Sequence, residues 1–203
     1  MIDPTDPKDL IRFDRNLGEL QEFLIFSICV AGHAAVPIAR GVESLLGGCR
    51  DMCGVWWTMP FDLIRTLPKL PCPLSVADAL RDSRIGKYNQ RAGYLTAAAN
   101  SDLDLFTCSV DDLDALPGIG PKTARFFVMC NRPDERHAIL DVHILRYMRE
   151  AWGLDVPRGS TMSAAQYARW EPEYLSRALP EAERLGMTLM EYDLSLWNQG
   201  RVG

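Results

Sequence analysis

An all-α fold is predicted for this 203-residue chain by three features. Apolar residues recur at spacings of three and four along most of its length. Period-2 alternation is lacking, so no strand is expected. Between two helical stretches sits a Gly-x-Gly break at 118–120, where glycine permits a tight reversal. Taken in order, Leu17, Leu20, Leu24, Ile28 and Ala31 mark one helical face, ended by Gly32. Val36, Ala39, Val42, Leu45 and Leu46 mark a second helix, ended by Gly47 and Gly48. Short helices are predicted over 60–67 and 74–82, separated by a proline-rich turn, and a longer one over 84–99. Ser109 with an acid three positions on, Asp112, has the signature of a capped helix start. Pro121 suits the first turn of the next helix, which continues to Asn131. Ile144, Tyr147, Met148 and Ala151 define a helix opened by Asp141. Helices over 163–179 and 187–198 complete the chain, with Pro172 and Pro180 as breaks.

Composition bounds the function classes. With 47% hydrophobic residues the chain can bury a substantial core, as one domain or two small lobes. The longest apolar stretch, 23–31, is too short to span a bilayer, and the acidic N-terminus lacks the pattern of a signal peptide. A cytoplasmic location is therefore expected, in a bacterium or a phage-infected host, with no membrane partner and a monomeric state. The six cysteines are Cys29, Cys49, Cys53, Cys72, Cys108 and Cys130. Several fall inside apolar helical patterns, as reduced core thiols do. No Cys/His pair follows Cys49 and Cys53 at a metal-binding spacing, so no metal is expected. The net charge of −5 argues against strong nonspecific binding to nucleic acid, which phosphate neutralisation drives. Residues 81–150, however, hold ten Lys/Arg and ten Asp/Glu. Within them Arg81, Arg84, Lys87 and Arg91 face one acid, Asp82, and form either a basic stripe or an ordinary solvated helix face.

Residues 116–124 read Leu-Pro-Gly-Ile-Gly-Pro-Lys-Thr-Ala. Such a reversal leaves the first N–H groups of the second helix, around Lys122 and Thr123, pointing outward, which suits a phosphate. A cation in that first turn opposes the macrodipole, which favours the uncharged amine that attack on carbon requires. Lys122 is accordingly a candidate nucleophile or a plain phosphate contact. Asp141 is a candidate catalytic carboxylate or a helix cap, and the roles are compatible because a capping carboxylate is held in one orientation.

The hairpin and Asp141 together resemble the helix-hairpin-helix DNA glycosylases of the endonuclease III-like superfamily. In that family the lysine after the hairpin is the nucleophile and an aspartate about twenty residues on is the second catalytic group. The segment Gly86-Lys-Tyr-Asn-Gln-Arg-Ala92 is similar to a Gly-x-Tyr-Asn-x-x-Ala helix of the same family, and the resemblance covers 20–150. It implies a two-lobed helical fold. Residues 23–134 would form a helical barrel lobe carrying the motif at 109–131, and 1–22 with 135–203 the other lobe. Double-stranded DNA would lie between the lobes, with Lys122 on one wall and Asp141 on the other. Many relatives bind an iron–sulfur cluster through four C-terminal cysteines. This chain has none after Cys130, so no cluster is expected, and the only cofactor the resemblance allows is a monovalent cation at the hairpin.

The implied activity is base excision: an N-glycosylase with AP-lyase activity on a modified or damaged base, a pyrimidine being expected. Gly118, Gly120 and Thr123 would hold a phosphate, and Arg84, Lys87 and Arg91 would contact the backbone. His33 stands where relatives carry a glutamine that fills the gap left by an extruded base, and a structural histidine at a turn is the other reading. Tyr88, His143 and Trp56 are candidates for the base pocket, although Tyr88 matches a barrel-helix position, Trp56 with Trp57 suits a core, and His143 can simply pack. A second implication is the phage branch of the superfamily, proposed to modify an activated 5-hydroxymethyluracil in DNA by transfer. The segment 24–33 and the ending Asp193-Leu-Ser-Leu-Trp-Asn198 depart from the repair enzymes and leave room for that reaction. A DNA-binding module without chemistry is the third class.

Overall fold

The computed structural model describes residues 2–53, 59–69, 74–159 and 162–199, and all regular structure among them is helical. The α-helices are α1 Pro7–Leu10, α2 Leu17–Val30, α3 Ala35–Cys53, α4 Pro60–Thr66, α5 Val76–Asp82, α6 Tyr88–Ala99, α7 Val110–Asp114, α8 Pro121–Asn131, α9 Val142–Trp152, α10 Ala164–Leu185 and α11 Leu189–Gln199. A 3-10 turn, Leu67–Lys69, follows α4. The chain divides into two compact units: Met1–Leu10 with Asp14–Gly120, and Ile11–Phe13 with Pro121–Gly203. The division expected from the family likeness put α8 in the first lobe; in the structure α8 is part of the second unit.

The first unit is built on α2, which is buried on nearly every side from Leu20 to Cys29. Apolar residues around the whole circumference make it a core helix rather than an amphipathic surface one. It starts sharply because Asn16 and Glu19 form a reciprocal capping box. α3, α4 and α6 pack against it, and α5 against α3 and α6. Met59 offers α4 no side-chain cap; instead Gln21, buried on α2, accepts the Phe61 N–H at 3.0 Å and satisfies one of the donors that a helix start leaves open.

In the second unit the apolar residues Ile144, Leu145 and Met148 of α9 are buried, as are Tyr167, Tyr174, Ala178 and Ala182 of α10. α11 packs on both α9 and α10.

Three boundaries differ from those predicted. α3 does not stop at Gly47 and Gly48 but runs to Cys53. α6 begins at Tyr88 rather than near 84, because Arg84, Gly86 and Lys87 all take positive φ, at 56°, 79° and 46°. Two of these are not glycine, so the turn carries no sequence signature. α10 continues through both Pro172 and Pro180. Its start is fixed by the Ser163–Gln166 capping box, its end by left-handed Gly186, and its buried stripe 167-174-178-182 spans both prolines. Tertiary packing of that stripe outweighs the ring clash and the missing N–H of each proline.

Candidate functional site

The hairpin forms as its caps dictate. Ser109 and Asp112 exchange hydrogen bonds, Ser109 N–H to Asp112 Oδ2 at 2.8 Å and Asp112 N–H to Ser109 Oγ at 3.1 Å. The Ser109 hydroxyl, donating to Asp112 Oδ2 at 2.7 Å, and then the Ser109 amide hold the exposed Asp112 carboxyl below its usual range. α7 ends at Ala115, and Ile119 turns back to donate to the Leu116 carbonyl at 3.1 Å. Gly118 takes φ +82°, and a Cβ there would run into the Tyr94 ring, so only glycine fits. Gly120 is different: its φ is not left-handed and a Cβ would meet nothing within 4 Å. Two reversing glycines were expected; one reverses the chain.

Pro121 opens α8, with Lys122 and Thr123 half-buried in its first turn. Helical geometry gives the first-turn amides no carbonyl within the helix. Among the described residues the Lys122 ammonium pairs with no carboxylate.

Asp141 is the N-cap of α9 and is only 7% exposed. Its Oδ1 accepts from the amides of His143 and Ile144 at 2.8 and 2.9 Å, so the capping role anticipated for it is real. Among the described residues Oδ2 accepts no hydrogen bond.

The backbone leading into Asp141 is held residue by residue. The Ala138 amide donates to Glu171 Oε1 at 2.9 Å, the Leu140 amide to the Tyr167 hydroxyl at 3.1 Å, and the Asp141 amide to the Ile139 carbonyl at 2.7 Å. Two of these amides are thus held by side chains of α10. Glu171 does more. Its two oxygens take Nε and Nη2 of Arg125 at 2.7 and 2.6 Å, a bidentate pair with both side chains about nine-tenths covered. Arg125 lies one turn beyond Lys122 and also stacks over the Tyr167 ring at 4.5 Å. The helix bearing Lys122 and the strand-like segment bearing Asp141 are therefore joined through one carboxylate. Burial opposes ionisation of Glu171, but hydrogen bonds from His137, Arg125 and the Ala138 amide outweigh it and hold the carboxyl at about 2. Burial, moderated by Arg125 and the Leu140 amide, pushes the Tyr167 hydroxyl up.

Arg125, Tyr167 and Glu171 were not anticipated. A usable signal existed: Arg125 interrupts the otherwise apolar run of α8. Its partner 46 residues away carries none.

The other predicted positions separate. Arg91 is buried at 2% exposure, its guanidinium donating to the carbonyls of Ile85, Gly86 and Cys29. It locks the turn before α6 to the end of α2 and is unavailable as a backbone contact; the expected stripe loses this member because helical register turns it inward. Arg84 and Lys87 are exposed. His33, exposed after left-handed Gly32, lies near enough to Lys87 and Arg91 that, after desolvation, their charges lower its basicity. Tyr88 is half-buried with Arg81 over its ring at 5.4 Å, which covers one face of the candidate base platform. His143 sets its ring edge-on to Trp197 at 5.8 Å. Trp56 lies outside the described residues. Cys29, Cys108 and Cys130 are buried thiols, and burial pushes Cys29 up to about 12 although Arg91 opposes it. Among the described residues no group of three or more His, Cys, Asp or Glu could hold a metal ion, and no helix is long and apolar enough to cross a membrane.

A helix-hairpin-helix motif model matches residues 103–125. No curated protein sequence matches the chain. Among solved structures, the 8-oxoguanine glycosylase/lyase of Methanocaldococcus jannaschii, in complex with a 15mer DNA containing 8-oxoguanine, superposes with a TM-score of 0.62 at 22% identity, covering 91% of this chain and 81% of that one. The 8-oxoguanine DNA glycosylase of Thermotoga maritima gives 0.60 at 23%, covering 89% and 78%. A second structure of the Methanocaldococcus jannaschii enzyme gives 0.60 at 22%, covering 89% and 77%. The chain shares the fold of these 8-oxoguanine DNA glycosylases, its regular structure is helical throughout the described residues, and it carries a helix-hairpin-helix motif at 103–125.

Proposed function

We propose that this protein is a DNA base-excision N-glycosylase with AP-lyase activity, Lys122 the nucleophile and Asp141 the catalytic carboxylate. The observation that carries the reading is the joint placement of these two residues: a lysine in the first turn after the hairpin, and a buried aspartate whose segment is tied through Glu171 to the lysine's own helix. A glycosylase must extrude its target nucleotide, because C1′ is unreachable in the stack. Gly118, Gly120 and Thr123 hold a flanking phosphate, and His33 with Lys87 and Arg84 forms a second contact on the first unit. Asp141 takes a proton from the Lys122 ammonium, and the Nζ lone pair bonds to C1′ as the glycosidic electrons leave with the base. Asp141 Oδ2 also stabilises positive charge developing on the sugar. Opening of the sugar gives a Schiff base, and loss of a C2′ proton expels the 3′ phosphate.

The solved structures are named for 8-oxoguanine, whereas a pyrimidine was expected from the sequence, so both classes belong in the test. Borohydride trapping on duplexes holding an abasic site, uracil, thymine glycol, 8-oxoguanine or 5-hydroxymethyluracil should give a covalent band that Lys122→Ala abolishes. Intact strands with an altered nucleoside mass would instead support the transferase. Binding without reaction on every duplex would leave a DNA-binding module.

A further inference from the structure

No residue in the body of α6 enters the reaction just described, yet the outer face of this helix is unlike that of a solvated one. A chain with 27 Asp and Glu has none from Ser83 to Ser101, a stretch that contains the whole of α6. The α6 residues open to solvent are Asn89, Gln90, Gly93 and Thr96, and every one is uncharged. A surface helix ordinarily carries charged residues there. Gly93 stands inside the helix, its φ is not left-handed, and a Cβ would meet nothing within 4 Å. Alanine would favour the helix more, so nothing within the protein calls for glycine at this position.

The polar groups of this face are ordered. Lys87, Gln90 and Tyr94 follow one another at spacings of three and four along one side of α6. Gln90 Nε2 donates to the Tyr94 hydroxyl at 2.7 Å. That bond occupies an oxygen lone pair and leaves the O–H able to donate to a further acceptor. The Tyr94 ring itself lies against Gly118 of the hairpin. All these residues belong to the first unit. At a helical rise of 1.5 Å per residue, Lys87 and Tyr94 stand about 10 Å apart along the axis, the rise of about three nucleotides of one DNA strand.

We propose that this face of α6 is a track for the DNA backbone, joining the two contacts assigned above to the hairpin and to Lys87. The Tyr94 hydroxyl, oriented by Gln90, donates to a phosphate next to the one at the hairpin. The bare Cα of Gly93 lets the sugar-phosphate chain lie close, and the absence of acids spares it repulsion. Neutral donors of this kind fix the register of a duplex without reading its sequence. They also supply affinity that a net charge of −5 does not.

The inference rests on the reading of the hairpin and Lys87 as DNA contacts, not on the chemistry, so binding and trapping are measured separately. Anisotropy titrations use the full chain and a duplex holding a tetrahydrofuran abasic analogue, across a range of salt. Tyr94→Phe keeps the ring against Gly118 and should bind about fivefold more weakly at every salt concentration. Its salt slope should match the wild type, because a neutral donor displaces no counterion. Gln90→Glu and Thr96→Glu change the net charge equally on different sides of the helix. The first also draws the Tyr94 O–H to its own carboxylate, and should weaken binding about tenfold or more. The second should cost less than about twofold. Gly93→Leu should raise the melting temperature and yet weaken binding, opposite effects that a purely structural glycine would not give. Tyr94→Phe or Gly93→Leu at wild-type affinity, or equal losses from Gln90→Glu and Thr96→Glu, would overturn the proposal. Wild-type binding with these losses but no trapping on any duplex would refute the glycosylase reading and leave the track intact. Trapping by a wild type whose affinity these substitutions leave unmoved would refute the track alone.

Discussion

At Gly118 two requirements coincide, a left-handed backbone and a ring lying where a side chain would begin. Neither applies at Gly120. Gly118→Ala should therefore cost about 2–4 kcal/mol, from the positive φ and the forced shift of Tyr94, while Gly120→Ala stays within about 0.5 kcal/mol. Urea midpoints of the two variants separate these, and equal midpoints would show that the hairpin adapts. A second contrast lies around α6. Arg91→Met abandons three carbonyls and should cost about 3 kcal/mol without altering the salt dependence of DNA binding. Lys87→Ala should do the reverse, lowering the slope of log affinity against log salt by about 1 with stability unchanged. Anisotropy titrations across salt, beside thermal melts, read both. Asp141 was visible in the sequence because an acid before an apolar helical run is a local pattern. Arg91 looked like its exposed neighbours because the residues that bury it, Cys29 and Ile85, are linked to it by no spacing rule.

Among the elements, helix starts were the most legible part. Asn16, Ser109 and Ser163 each begin a helix through a reciprocal box, and each is written in four consecutive residues. Breaks were less so. Pro172 and Pro180 mark stops by local chemistry, yet α10 passes through both because its buried stripe is a tertiary fact. α10 is also the support of Asp141, through Glu171 and Tyr167. That gives stability a distinct acid limb. Glu171 is depressed to about 2 from an ordinary 4.5, so its contribution is complete above about pH 4.5 and disappears as pH falls toward 2. Glu171→Ala, which removes the bidentate carboxylate from the buried Arg125, should cost about 3 kcal/mol at neutral pH and shrink that limb. Unfolding free energy measured from pH 2 to 7 in both proteins checks it; parallel curves would mean that other carboxylates carry the acid sensitivity.

For the whole molecule, helical class and motif were legible because period and turn chemistry are local. The partition into units was not, since it depends on which distant segments meet. The short segment Ile11–Phe13 shows this best: it belongs with the residues after Pro121, and the Arg12 amide donates to the Cys130 carbonyl at 3.0 Å. The chain thus enters the second unit, leaves it for the first, and returns. During synthesis residues 11–13 emerge more than a hundred residues ahead of their partners and must wait, uncovered, while the first unit is made. The second unit, with Lys122, Asp141 and their supports, is then the last part to close. A ribosome stalled near Gly120 would carry a hairpin whose second helix has not yet appeared, so release of a prematurely ended chain yields at most the first unit, without either residue of the proposed chemistry.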